Sequence, residues 1–199
     1  MNTVIFCEGK TDVYFLDQII KQRNQEVNVK KYISEDLPPS NRRGEQSEAV
    51  RNLVEPNNPY EILLKSEEGL DQLTKVIPGL LQFLGSQPLS FHIMIDLDGG
   101  NLTQFVDEIN SRCRSRMPKP IIIGEIMLVK KSEKFICKQY AIKKDGVEID
   151  TFCIFAFFQS LESSAGISGD ETQSEKYDKV NNLITTPEIR SHINNLVNI

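Results

Sequence analysis

Apolar positions in this 199-residue chain follow two rhythms. Short, nearly unbroken apolar runs occur at Thr3-Val4-Ile5-Phe6-Cys7, Tyr60-Glu61-Ile62-Leu63-Leu64, Phe91-His92-Ile93-Met94-Ile95 and Ile121-Ile122-Ile123. Runs of this kind read as strands covered on both faces, and Val27 to Ile33 reads as a further strand. Between them lie one-sided stripes of helical period. Val13, Leu16, Ile19 and Ile20 share a face of a helix that Thr11 is placed to cap and that runs to about Arg23. Glu67 to Leu84 repeats the pattern, with Pro78-Gly79 marking a kink or a split. Leu102 to Arg116 buries Phe105, Val106 and Ile109, and Pro118 and Pro120 end it. Ser34 to Pro59 reads as loop with one short helix near Ser47 to Val54. Strand and helix in alternation predict an α/β fold, a mostly parallel sheet with helices on both faces.

The pattern changes past residue 130. Phe135 to Lys144 alternates, Asp145-Gly146 is hairpin-turn chemistry, and Val147 to Phe152 is expected to return antiparallel. A helix is expected over Thr151 to Leu161, then a polar loop from Ser163 to Ser174. A last helix begins at Thr186-Pro187-Glu188, with Ile189, Ile193 and Leu196 on one face. The expected organisation is an α/β domain over residues 1–130, with an antiparallel β-hairpin and helical C-terminal elaboration over 131–199 packed on it.

Composition narrows the class. Hydrophobic content of 39% and charged content of 26% belong to an ordinary globular chain. No apolar run reaches membrane-spanning length, and the first residues do not read as a secretory signal, so no membrane partner is expected. Cys7, Cys113, Cys137 and Cys153 form no Cys-x-x-Cys pair, which argues against zinc ribbons and for a reduced, cytoplasmic protein. The net charge of −5 is unevenly spread: from Arg112 to Lys144 ten Lys or Arg stand against two Glu, leaving −13 on the rest. Such segregation suggests a cationic face for phosphates, or lysines that simply solvate a hairpin.

Candidate chemistry sits where two buried strands end. The first runs into Glu8-Gly9-Lys10-Thr11-Asp12 and the second into Asp96-Leu97-Asp98-Gly99-Gly100. In α/β sheets the functional crevice lies beyond the carboxyl ends of strands. Asp96 and Asp98, two apart, share a side, and carboxylates held together need a proton or a cation between them. Hard oxygen ligands without a His or Cys cluster favour Mg²⁺ or Mn²⁺ over zinc. Each residue also has a plainer reading. Asp-Gly is ordinary turn chemistry, Asp12 is a first-turn acid that complements a helix dipole, and Lys10 is an exposed lysine. Glu125 reads as an exposed strand residue, His92 as a packed or hydrogen-bonded histidine, and His192 as solvated.

The two motifs, in this order and strand context, resemble the Toprim family. This metal-binding domain is shared by topoisomerases, bacterial primases, small RNA-maturing nucleases and the overcoming-lysogenization-defect (OLD) nucleases. The resemblance implies a Toprim-like fold over roughly the first 130 residues and metal-assisted phosphodiester chemistry on DNA or RNA. It implies Glu8, Asp96 and Asp98 as catalytic residues. Glu8, Asp12, Asp96 and Asp98 would hold Mg²⁺ or Mn²⁺, and Gly9, Lys10, Gly99, Gly100 and Lys65 would lie near phosphate. No segment reads as the tyrosine-bearing domain of a topoisomerase or the DNA-handling domain of a primase. A small nuclease is therefore the expectation, and a non-catalytic nucleotide- or nucleic-acid-binding module the alternative. A homo-oligomer remains open. A haloacid-dehalogenase-like phosphatase is set aside because Gly100 replaces the Thr or Val of that motif, and a sugar-nucleotide transferase lacks a nucleotide-binding half.

Overall fold

The uninterrupted apolar runs become the centre of a single sheet. The computed structural model describes residues 2–38, 42–55, 57–84, 89–116, 119–187 and 189. Along the chain the elements are β1 (Thr3–Cys7), α1 (Lys10–Arg23), β2 (Val29–Ile33), α2 (Arg42–Val54), β3 (Ile62–Ser66), α3 (Leu70–Leu84), β4 (Ser90–Asp96), α4 (Leu102–Arg116), β5 (Ile121–Lys131), β6 (Phe135–Lys144), β7 (Val147–Phe157), α5 (Leu161–Ala165) and α6 (Gln173–Thr185), with a 3-10 turn at Ser34–Asp36. The seven strands lie in the order β2-β3-β1-β4-β7-β6-β5. Pairings from β2 through β7 are parallel, and those of β7 with β6 and β6 with β5 are antiparallel. The α/β class with a mostly parallel sheet and an antiparallel hairpin is as the pattern predicted.

Each sheet face has its own core. Val4, Phe6, Leu63, Phe91, Ile93 and Ile95 pack under α2, α3 and α4. Ile5, Cys7, Ile62, Leu64 and Met94 pack under α1, α5 and α6. Period-two alternation divides the strands this way, and helices on both sides explain why the runs carry almost no polar residue.

Two connections set the site. From β1 the chain passes through α1 on one face to β2 at one edge. From β4 it passes through α4 on the other face to β5 at the opposite edge. Neighbouring β1 and β4, whose outgoing connections diverge, therefore flank a topological switch point, where α/β sheets open a crevice. Their register, Cys7 beside Met94, brings Glu8 and Asp96 to the same end.

Several expectations are corrected. The helix expected over Thr151 to Leu161 is strand as far as Phe157. Its residues alternate between the two cores, Phe152, Ile154 and Ala156 in one and Phe155 and Phe157 in the other. A run buried on both sides has no polar period to separate strand from helix, and its aromatic and β-branched content favours strand. The short buried strand at Ile121 to Ile123 continues to Lys131 as an edge strand antiparallel to β6. Helix α1 is capped at Gly9, not Thr11, because the Asp12 carboxylate accepts the Gly9 N–H at 2.9 Å. Helix α3 runs through Pro78 without a break. The polar stretch from Ser163 holds the end of α5, and α6 follows from a Thr172–Glu175 capping box in a segment to which the sequence pattern assigned no element.

The hairpin turn stands as expected, with φ of 52° at Asp145 and 80° at Gly146, the primed-turn geometry that matches strand twist. That hairpin adds directly to the main sheet, β7 lying against β4. Residues 190–199, which carry His192, Ile193 and Leu196 of the expected last helix, lie outside the described residues, as do 39–41, Pro56 and Pro118. No helix of the described residues is long and apolar enough to cross a membrane.

Candidate functional site

The sequence-distant motifs meet. One carboxylate oxygen of Glu8, Oε2, accepts the backbone N–H of Asp96 at 3.2 Å, and Leu70 at the start of α3 donates its N–H to the same carboxylate. The loop before α3 makes this approach through Glu68 and Gly69, both at positive φ, and the Gly69 N–H donates to the Glu8 carbonyl at 2.9 Å. Asp96 closes β4, and its Oδ1 accepts the N–H of Leu161 at 3.0 Å. Asp12, deeply buried, reaches back to Gly9. Three acids thus sit one each at the starts of α1, α3 and α5, where exposed amides and the helix dipoles favour negative charge.

Capping explains each hydrogen bond but not the crowding. Burial raises the Asp96 carboxyl to about 7, and the charges of Glu162, Glu8 and Asp98 add to the rise, against the lowering effect of the Leu161 N–H. Asp12 is pushed well above the usual carboxylate range, first by burial and then by Asp96, Glu162 and Glu8. Glu8 is raised by burial, with Asp98 and Glu162 adding to it, while the Asp96 and Leu70 N–H groups hold it down. Asp98 and Glu162 thus add their charge to the three raised acids. Glu162 in the first turn of α5 is the member the sequence reading missed. Its signal was Ser160, whose side chain caps the helix by accepting the Ser163 N–H, but treating the preceding run as helix hid that strand-to-helix junction.

Asp98 is exposed and left-handed, with φ of 46°. The loop it belongs to is tied to β7's end: Phe157 and Phe158 carbonyls accept the N–H groups of Leu97 and Gly99 at 2.9 and 3.0 Å. Gly100 donates to the Leu97 carbonyl at 2.6 Å, and a Cβ at Gly100 would stand 2.8 Å from that oxygen, so glycine is required there.

The phosphate-contact expectations fare differently. The amides of Gly9, Gly99 and Gly100 are all used internally, by Asp12, Phe158 and Leu97, so these glycines offer space rather than donors. Lys10 turns to Asp36, 2.9 Å away. Lys65 is corrected outright. It is 1% exposed, paired with buried Glu67 and 5.7 Å from the Phe6 and Tyr32 rings, and burial lowers it to about 7. It is a core residue. Glu125 is exposed and pairs with Lys138 at 2.8 Å, and His92 Nδ1 accepts the Cys153 N–H at 3.3 Å, both as expected.

The donor set is all carboxylate, Asp12 and Asp96 each keep a second oxygen beyond the backbone bond named above, and all three acids are raised, first by burial and then by their neighbours' charge. In chemistry and charge they fit a hard divalent cation. In placement they do not yet form a coordination shell: among the described residues no group of three His, Cys, Asp or Glu is gathered to hold a metal ion.

What the geometry defines is a mixed α/β protein with a cluster of acids at the switch point of its sheet. No known family's sequence profile matches the chain. No curated protein matches it. Among solved structures it is similar to a de novo designed protein of P-loop NTPase fold, determined by solution NMR, at 18% identity over 56% of this chain and 75% of that one, with a TM-score of 0.34. A likeness so slight carries neither fold nor function across.

Proposed function

We propose that the chain is a Toprim-type protein that performs Mg²⁺- or Mn²⁺-dependent phosphodiester chemistry on DNA or RNA, as a small nuclease. The observation that supports it most is the Glu8–Asp96 contact, which joins motifs 88 positions apart in a cluster of acids raised first by burial and then by one another's charge. Glu8, Asp12, Asp96 and Asp98 are the residues that would hold the cation, with Glu162 beside them. When bound, such an ion neutralises phosphate charge and stabilises the attacking and leaving oxygens. The chain's own part is to keep Asp96 fixed through the Leu161 N–H, to keep Glu8 fixed through Asp96 and Leu70, and to hold a proton on Asp96 or Asp12 until a cation displaces it. Four cysteines held as thiols accord with a cytoplasmic setting.

A second reading has its own support. The acids, not gathered into a metal-holding group among the described residues, suit a module that binds nucleotides or nucleic acid without cutting them. One assay separates the two: single-stranded DNA, duplex DNA and structured RNA are incubated with the protein in Mn²⁺ or in EDTA, beside Asp96→Ala/Asp98→Ala. Metal-dependent cleavage that the variant loses by a hundredfold or more is the expected result (order of magnitude for metal-assisted steps). Binding without cleavage by the unaltered protein assigns the chain to the second reading.

A further inference from the structure

Beside the Asp98–Gly100 loop, on the α4 face of the sheet, lies a cleft of about 500 Å³ walled by Gly99, Gly100, Thr103, Gln104, Lys138 and Phe158. Its outer wall is Ile136 and Lys138 of β6, and the side chains on the same face of β5 beyond it mix cationic and apolar character. Leu128 lies directly opposite Lys138 in the β5–β6 ladder, so the two share a face, and Leu128 is 48% exposed. The Lys131 ammonium stands 5.9 Å over the Phe158 ring. Lys138 is held upright by Glu125 at 2.8 Å. The inner wall is bare backbone: Gly99 and Gly100 carry no side chain, and Gly100 cannot acquire one. The surplus of positive charge between Arg112 and Lys144, unused by the acidic crevice, includes both lysines.

We propose that this cleft is the track for a single strand of nucleic acid leading to the carboxylates. Lys131 and Lys138 take successive phosphates, Phe158 and Leu128 take the faces of bases, and the two glycines let the sugar-phosphate chain pass close to Asp98. The pairing of cationic side chains with an aromatic platform is how proteins hold single strands without reading sequence, because every base has a π-face and every nucleotide a charge. The choice of a polynucleotide as occupant rests on the phosphodiester reading above, but the track is tested without any metal.

Binding of labelled oligothymidylate and oligouridylate is followed by fluorescence anisotropy in EDTA across a salt series. Lys131→Gln/Lys138→Gln is expected to weaken both at least tenfold and to flatten the slope of log K against log salt by about 1.4, roughly 0.7 for each single-strand phosphate deprived of its lysine. Phe158→Leu, which keeps a buried apolar group, is expected to cost roughly tenfold with the salt slope unchanged. Circular dichroism melts of each variant check that the fold is retained. Binding by the lysine variant equal to that of the unaltered protein, or no binding by the unaltered protein, overturns the proposal. Saturable binding of an acidic peptide in place of both oligonucleotides also overturns it. The two proposals fail separately. Cleavage that survives the lysine substitutions removes the track and leaves the nuclease, and lysine-dependent binding without Mn²⁺-dependent cleavage does the reverse.

Discussion

Asp96 concentrates the chemistry of single residues in this molecule. Its carboxyl titrates near 7 in the fold against an ordinary value of 3.8. The folded state therefore binds the proton more tightly than the unfolded chain. Stability from this group is present below about pH 4 and declines as pH rises toward about 7, where an uncompensated buried charge remains. Without divalent cations, thermal melts should show a loss of about 2–4 kcal/mol across that window, since each pKa unit corresponds to about 1.4 kcal/mol. Asp96→Asn should flatten the loss, and added Mg²⁺ should reverse it most strongly at the upper end, where the acids are ionised. Since Glu171 and Glu175, whose carboxyls are lowered, add stability as pH rises through the ordinary carboxylate range, the test is the difference between the two proteins: a pH dependence in EDTA that Asp96→Asn leaves unchanged would contradict the burial of this charge.

Among elements, the loop from Leu97 to Gly100 is constrained by three backbone hydrogen bonds and by the close approach of Gly100 to the Leu97 carbonyl. Gly100→Ala sets a methyl against the Leu97 carbonyl and must displace the turn, at a cost of about 1–3 kcal/mol. Differential scanning calorimetry should register this as a lower melting temperature, whereas Gly99→Ala meets no neighbour and is strained only by its φ of 79°. What could be read from the sequence depends on the kind of element. Strands β1 and β4 and helix α4 were legible because their apolar patterns and stops are local. The convergence of Glu8 with Asp96 was legible only through the order of motifs. The strand nature of Phe152 to Phe157 was not legible, because double-sided burial erases the period that distinguishes strand from helix. With it went Glu162, whose place in the site follows from where β7 ends. The fates of Lys65 and Lys10 were equally hidden, since each depends on a carboxylate chosen by the tertiary fold, Glu67 for one and Asp36 for the other.

At the scale of the whole molecule, the sheet does not divide at residue 130. The outer edge of β4 is completed by β7, and the Phe91 ring stacks on Phe152 at 4.3 Å. A fragment of residues 1–130 would present a central, largely apolar and buried strand as an open edge, a ready template for aggregation. It is expected to be insoluble or molten, as judged by sedimentation and by near-ultraviolet circular dichroism, and a sharply melting monomeric fragment would show the two segments to be independent.

The tie between Asp96 and the Leu161 amide, at 3.0 Å, spans 65 positions. During synthesis the aspartate emerges long before the amide that will hold it. A nascent chain that has made β1 through β4 owns the acids but not the clasp that fixes them. The cluster therefore reaches its final arrangement only after β7 has joined β4 and α5 has followed it.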